Sequence, residues 1–209
     1  MIYLIGGPPK CGKTTLAKKL SKELGVSWIS SDTLQSVAQA YIEKKDYSER
    51  FPWSAIRKET GRSNDAAYEK YSAEEIVGFY RKQAKATYPA IEMVVVSELN
   101  DGNDYIIEGY QIEPEFAAFL VGKYKNVKAV FLIKSDKEKF VQDIKKTTTP
   151  NDWIIARTED KKIYEKIAEM IMEYGKVIAS EAQKHNLKVF NLDDEFEGKL
   201  GEVANYFKS

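Results

Sequence analysis

Residues Gly7-Pro8-Pro9-Lys10-Cys11-Gly12-Lys13-Thr14 follow the pattern G-x-x-x-x-G-K-T. An apolar run, Ile2-Tyr3-Leu4-Ile5, stands just before them. Thr15, Leu16, Ala17, Leu20 and Leu24 follow at the spacing of an amphipathic helix that stops at Gly25. A strand, a glycine turn and a helix start together make an anion site. Several backbone N–H groups share one concavity there, and the helix dipole adds positive potential. Gly7 and Gly12 let the chain turn tightly and come close to a phosphate. In this pattern Lys13 reaches the β- and γ-phosphates of a nucleotide and the Thr14 hydroxyl holds Mg²⁺. The expected nucleotide-binding set is therefore Gly7, Pro8, Pro9, Lys10, Cys11, Gly12, Lys13, Thr14 and Thr15.

Outward from the motif, strand and helix signals alternate, which points to an α/β fold on a parallel sheet. Val26, Trp28 and Ile29 form a second strand, and Ser30-Ser31-Asp32-Thr33 opens a helix. Ile76, Tyr80, Ala84, Tyr88, Ile91, Val95 and Leu99 lie three or four residues apart and predict one long helix, kinked at Pro89. Tyr105-Ile106-Ile107 is the third strand and ends at Glu108-Gly109. Val127–Ile133 is nearly continuous in apolar residues, as expected of a buried parallel strand. A short helix over 136–144 follows. A long helix carries Ile163, Ile167, Met170, Ile171, Tyr174 and Ile178. Leu187, Val189 and Phe190 make the fifth strand, and a closing helix holds Leu200, Val203, Ala204 and Phe207. The stretch 44–71 is polar, contains Pro52 and Gly61, and reads as an insertion on the rim rather than as core.

The chain has 209 residues, 43% hydrophobic and 31% charged, with a formal net charge of zero. That is one domain with a full core. Zero net charge removes any global attraction to nucleic acid or an anionic membrane. Cys11 is the single cysteine, so no internal disulfide forms, and a reducing cytoplasm is the expected location. No apolar run is long enough to span a bilayer, and no signal peptide precedes the first strand. His185, the single histidine, lies among Gln183, Lys184 and Asn186 and reads as surface.

Ligands of such sheets bind beyond the carboxyl ends of the strands. The glycine loop, Asp32 and Glu108 each follow such an end. Asp32, on a strand expected to neighbour the first, is placed to handle an acceptor hydroxyl; the alternative is a helix cap. Glu108 is placed as a Walker B-type acid acting on Mg²⁺; the alternative is a strand-end acid facing solvent. Arg157, in a polar stretch behind Lys145 and Lys146, is placed to fold over a triphosphate. Arg57, Arg62 and Arg81 are candidates to hold an anionic acceptor, and each has a surface role as its alternative.

Taken together, Gly7–Thr14, Ser31-Asp32, Ile107-Glu108-Gly109 and the lid-like stretch around Arg157 resemble the nucleoside-monophosphate-kinase-like P-loop kinases. That group includes adenylate, shikimate and gluconate kinases, chloramphenicol phosphotransferase and 2-phosphoglycerate kinase. Residues 106–114 look most like the corresponding piece of 2-phosphoglycerate-kinase-like proteins. The resemblance implies a three-layer P-loop NTPase fold: five parallel strands flanked by helices, a helical acceptor-binding insertion and a short lid. In this chain they correspond to a core of 1–43, 100–144 and 158–209, an insertion of about 44–99, and a lid of about 145–157. It also implies adenine near Asn191. The expected activity is transfer of the γ-phosphoryl group of ATP, with Mg²⁺, to a small metabolite, with Lys13, Asp32 and Arg157 as catalytic residues and Thr14 and Glu108 on the metal. The glycine triplet of shikimate kinases and the lid arginine pair of adenylate kinases are absent, so no named acceptor transfers. An NTP-hydrolysing regulatory protein and a polynucleotide end-kinase are the alternatives. The first has no N-K-x-D base-reading motif in support, and the second no basic run.

Overall fold

The computed structural model describes residues 1–146 and 152–208. Its centre is a five-stranded sheet of β1 (Ile2–Gly6), β2 (Ser27–Ser30), β3 (Tyr105–Glu108), β4 (Val127–Ile133) and β5 (Lys188–Asn191), every pair parallel. The strand order is β2-β3-β1-β4-β5. The second strand therefore does not neighbour the first, contrary to expectation. β3 lies between them, with Glu108 opposite Ile5 on one side and opposite Ser30 on the other. That register sets the loop after β1, the end of β3 and the start of the helix after β2 at one level of the sheet. Parallel strands buried on both faces read as continuous apolar runs, and Ile2, Leu4 and Ile5 of β1 are fully buried, as are Val130, Phe131 and Leu132 of β4.

Helix α1 (Lys13–Leu24) packs on β1, β2 and β3 and against α10 (Phe196–Lys208). It ends as its sequence predicts, with Gly25 at φ 70° donating its N–H to the Ser21 carbonyl. The α6 helix (Ala73–Asn100) begins at a complete capping box of Ser72 and Glu75 and continues through Pro89. It packs along α9 (Ile163–Lys184) and against β1. The apolar stripes read from sequence are the buried faces of α6, α9 and α10. Beyond β4, α8 (Lys137–Lys146) packs on α9. No described helix is long and apolar enough to cross a membrane.

Two elements differ from the sequence reading. The first is 44–71, which joins the main core. After α2 (Ser31–Tyr41) the chain forms α3 (Tyr47–Arg50), α4 (Pro52–Glu59) and α5 (Asn64–Lys70). Phe51, Trp53, Ala67 and Tyr68 are buried there. The Trp53 ring meets Tyr68 edge-on at 5.5 Å and lies 5.6 Å from Tyr80 of α6. The second is α7 (Pro114–Lys123) between β3 and β4. Pro114 sits in its first turn, where a missing N–H costs nothing, and Phe116, Ala117 and Leu120 bury its inner face.

Glu113 precedes α7 and ties three helices together. Its carboxylate accepts from Arg81 Nε at 2.9 Å, the Tyr88 hydroxyl at 2.8 Å and the Tyr174 hydroxyl at 3.2 Å. Arg81 Nη2 also donates to Glu181 at 2.7 Å. Burial pushes the Glu113 carboxyl above its ordinary value despite these donors. Replacing Glu113 by Ala removes the acceptor of the Tyr88 hydroxyl and leaves Arg81 to Glu181 alone and Tyr174 to the Tyr110 carbonyl. The expected loss is about 3 kcal/mol in denaturant unfolding, with the slope of the transition unchanged.

Candidate active site

The loop from β1 into α1 is built on left-handed backbone. Gly7 has φ 133°, Lys10 φ 64° and Gly12 φ 86°. A Cβ on Gly7 would stand 2.1 Å from the Leu132 carbonyl oxygen, so that position takes glycine alone. Helix α1 starts with no side-chain cap and no acid in its first turn. Its leading N–H groups thus keep their dipole for a ligand. The Lys13 side chain is buried and curls back, Nζ donating to the Pro8 carbonyl at 2.6 Å. The Thr14 hydroxyl donates to Glu108 Oε1 at 3.0 Å. Cys11 is buried, and burial pushes its thiol up to about 11, so it sits in the loop as a neutral small side chain.

Glu108 is 3% exposed. Burial raises its carboxyl above the ordinary value, Lys13 and the Thr14 hydroxyl pull it down, and the Asp32 charge adds to the rise. Glu108 and Asp32 therefore face one another electrostatically across the strand ends. Asp32 lies in the first turn of α2, but the cap of that helix is Ser30, whose Oγ accepts from the Asp32 N–H at 3.3 Å. Released from capping, the Asp32 carboxylate accepts from Gln111 Nε2 at 2.8 Å.

Lys13, Thr14, Asp32 and Glu108 line a cleft of about 380 Å³, together with Trp53, Tyr80, Tyr110 and Trp153. Among the candidate arginines, Arg57 and Arg157 line it as well. Arg57 lies 6.0 Å from the Trp53 ring centre and donates to the carbonyls of Ser63, at 2.7 Å, and Arg62. Burial pulls Arg57 below its ordinary value, and nearby Arg157 and Arg62 add to that. Arg157 is in a 3₁₀ turn, Ile155–Arg157. Arg62 is not in the cleft; at φ 66° it lines a separate shallow cavity with Arg157. Arg81 is not in it either, being held by Glu113 and Glu181.

On the far side of the loop a second cavity runs past Gly12, Thr15, Lys134, Lys146 and Phe196. Lys10, Lys13 and Thr14 line both spaces. The Asn191 amide, expected near adenine, donates instead to Ser135 Oγ at 2.8 Å and lines neither cavity. Phe196 lines the second cavity beside the loop: a Cβ on Gly12 would come within 2.8 Å of its ring. His185 is exposed.

The expected lid, about 145–157, falls partly on 147–151, which lie outside the described residues. Lys145 and Lys146 end α8. From Asp152 onward the segment is anchored twice. Asp152, its side chain fully buried, pairs with Lys10 of the loop. Asn64 Nδ2, in the first turn of α5, donates to Thr158 Oγ1 at 2.8 Å and to the Trp153 carbonyl at 3.1 Å. Asp65 accepts the N–H groups of Glu159, at 3.0 Å, and Asp160, at 2.9 Å.

Sequence reasoning missed Gln35 and Gln83, which line the cleft, and Gln111, which is buried against Asp32. Uncharged amides within helices or loops carry no periodic or spacing signal; Gln35 shares a helix face with Asp32, whereas only the fold brings Gln111 to Asp32 and Gln83 to Tyr110.

The chain matches a family model described as "ATPase family associated with various cellular activities (AAA)" over residues 3–91. No curated protein matches its sequence. Among solved structures it is similar to a shikimate kinase of Bacteroides thetaiotaomicron, at 14% identity and a TM-score of 0.52, covering 100% of this chain and 99% of that one. A sugar kinase of a Janibacter species is similar at 14% identity and 0.52, covering 99% and 94%. At these identities the shared property is the fold: this chain has the α/β P-loop NTPase architecture.

Gly109, at φ 154°, packs under the start of α2, where a Cβ would lie 1.7 Å from Ser31 Oγ and 2.7 Å from Gln111 Oε1. Gly109→Ala is expected to cost on the order of 2 kcal/mol in strain alone, read from the urea midpoint. It also forces Ser31 and Gln111 apart, so the loss should exceed that of Gly102→Ala, where a Cβ meets nothing within 4 Å and positive-φ strain alone applies.

Proposed function

We propose that this protein is an ATP-dependent kinase that moves the γ-phosphoryl group of the nucleotide onto a hydroxyl of a small acceptor. The observation that carries the reading is one cleft lined by Lys13, Thr14, Glu108 and Asp32 together with Arg57, Arg157 and the rings of Trp53, Tyr80, Tyr110 and Trp153. Most of its lining lies outside the glycine loop, so a second substrate has somewhere to sit. The AAA-type match over 3–91 would suit a plain NTP-hydrolysing protein. The cleft beyond Lys13, and the kinases among the similar structures, favour transfer.

The nucleotide fits the uncapped start of α1 and its left-handed loop, with the Lys13 ammonium turning from the Pro8 carbonyl to the β- and γ-phosphates. Thr14 Oγ1 and Glu108 Oε1, 3.0 Å apart, are hard oxygen donors. They suit Mg²⁺, which takes one or two protein oxygens and fills its remaining positions with phosphate and water. The ion would neutralise charge on the phosphates. Asp32 accepts the acceptor's hydroxyl proton as that oxygen bonds to the γ-phosphorus. The bond from γ-phosphorus to the bridging oxygen breaks, and its electron pair leaves on ADP. Arg157 would offset charge on the equatorial oxygens, and Arg57 would pair with an acid group of the acceptor. A cytoplasmic, small-molecule role is consistent with these parts.

An ADP-release assay over a pool of metabolites tests this, ADP formation being expected only when an acceptor is present. Lys13→Ala should weaken nucleotide binding in calorimetry and abolish transfer. Asp32→Ala should lower turnover by about 10²- to 10⁴-fold with nucleotide affinity intact. Equal ADP release with and without acceptor would point to hydrolysis instead.

A further inference from the structure

Asp32 and Gln35 stand one turn apart on α2 and both line the cleft. Residues three apart on a helix share a face, so these two side chains meet a ligand together. What each presents is fixed by the buried network behind them. An ionised carboxylate accepts hydrogen bonds and donates none. The Gln111 amide that touches Asp32 Oδ1 at 2.8 Å must therefore turn its NH₂ toward it. Its other end then takes the Ser31 hydroxyl, which donates to Gln111 Oε1 at 2.5 Å. The same Gln111 Nε2 donates to Gln35 Oε1 at 3.1 Å.

A second chain of donors reaches Gln35 from the opposite side. The Ser54 N–H donates to Gln83 Oε1 at 3.1 Å, which turns the Gln83 NH₂ toward the Tyr110 oxygen. The Tyr110 proton then goes to Gln35 Oε1. Two donors thus converge on the carbonyl end of Gln35. Its NH₂ end has no protein partner among the described residues, and neither does Asp32 Oδ2. Gln111 and Gln83 are buried, so neither can turn over without leaving a buried polar atom unpaired.

We infer that the acceptor is a diol: one hydroxyl donates to Asp32 Oδ2, and its neighbour accepts from the Gln35 NH₂. The ligand class is a small polyol, with Arg57 in the same cleft to pair with an acid group on it. This inference rests on the kinase reading and sharpens it. An acceptor lacking the second hydroxyl leaves the Gln35 NH₂ facing a gap. A site built to hydrogen-bond a hydroxyl discriminates strongly against the analogue without it.

The test uses the full chain with MgATP and pairs of pure acceptors: D-glycerate with 3-hydroxypropionate, glycerol 3-phosphate with propane-1,3-diol monophosphate, and D-ribose 5-phosphate with its 2-deoxy form. At least one diol is expected to support ADP release, with kcat/KM falling about 100-fold or more in its deoxy partner. In Gln35→Leu that ratio should collapse toward one, a readout independent of how much variant protein is folded. Deoxy partners used as well as diols overturn the proposal, as does no turnover across the panel by protein that binds MgADP in calorimetry. ADP release without any acceptor, or no nucleotide binding, overturns the kinase reading instead and takes this inference with it.

Discussion

The N–H groups at the start of α1 are the constraint on which the site depends. They point into a loop that offers them no side-chain cap and no acid, so their dipole is free to act on a phosphate. Keeping them open requires the left-handed turns at Gly7, Lys10 and Gly12 and the close approach of Gly7 to β4. The acids that complete the site arrive through the sheet register. Glu108 sits level with both Ile5 and Ser30, and one strand end thereby sets the Thr14, Glu108 and Asp32 side chains around a single crevice.

Much of this is legible in the chain because the signals are local. The G-x-x-x-x-G-K-T pattern, the capping glycine at Gly25, the unbroken apolar run of β4 and the stripes of α9 and α10 all arise from neighbours in sequence. The order of the strands is not local. That β3 inserts between β1 and β2 is decided by how crossovers pack, and both orders leave the same sequence pattern. The consequence for the site is real: Asp32 is reached from the loop across Glu108, not beside it.

The stretch from Lys44 to Tyr71 shows a different limit. Its helices span four to eight residues, too few for a 3.6-residue period to declare itself. Their large side chains, Phe51, Trp53 and Tyr68, are spread among charges that face water. Polar composition suggested a rim, whereas a handful of aromatic rings suffices to anchor the segment to α6. For α7 a signal existed in Pro114 followed by Phe116, Ala117 and Leu120. Arg81 is a third case. An arginine in a polar neighbourhood looks available for a ligand, yet its partners Glu113 and Glu181 lie 32 and 100 residues away.

The double anchorage of residues 152–160 has a mechanical consequence. Lys10 holds this segment from the glycine loop, while Asn64 and Asp65 hold it from α5. Displacing either the loop or α5 must carry the segment along or break these bonds. A strip of nine residues that contributes Trp153 and Arg157 to the cleft is thus clamped between two elements far apart in sequence.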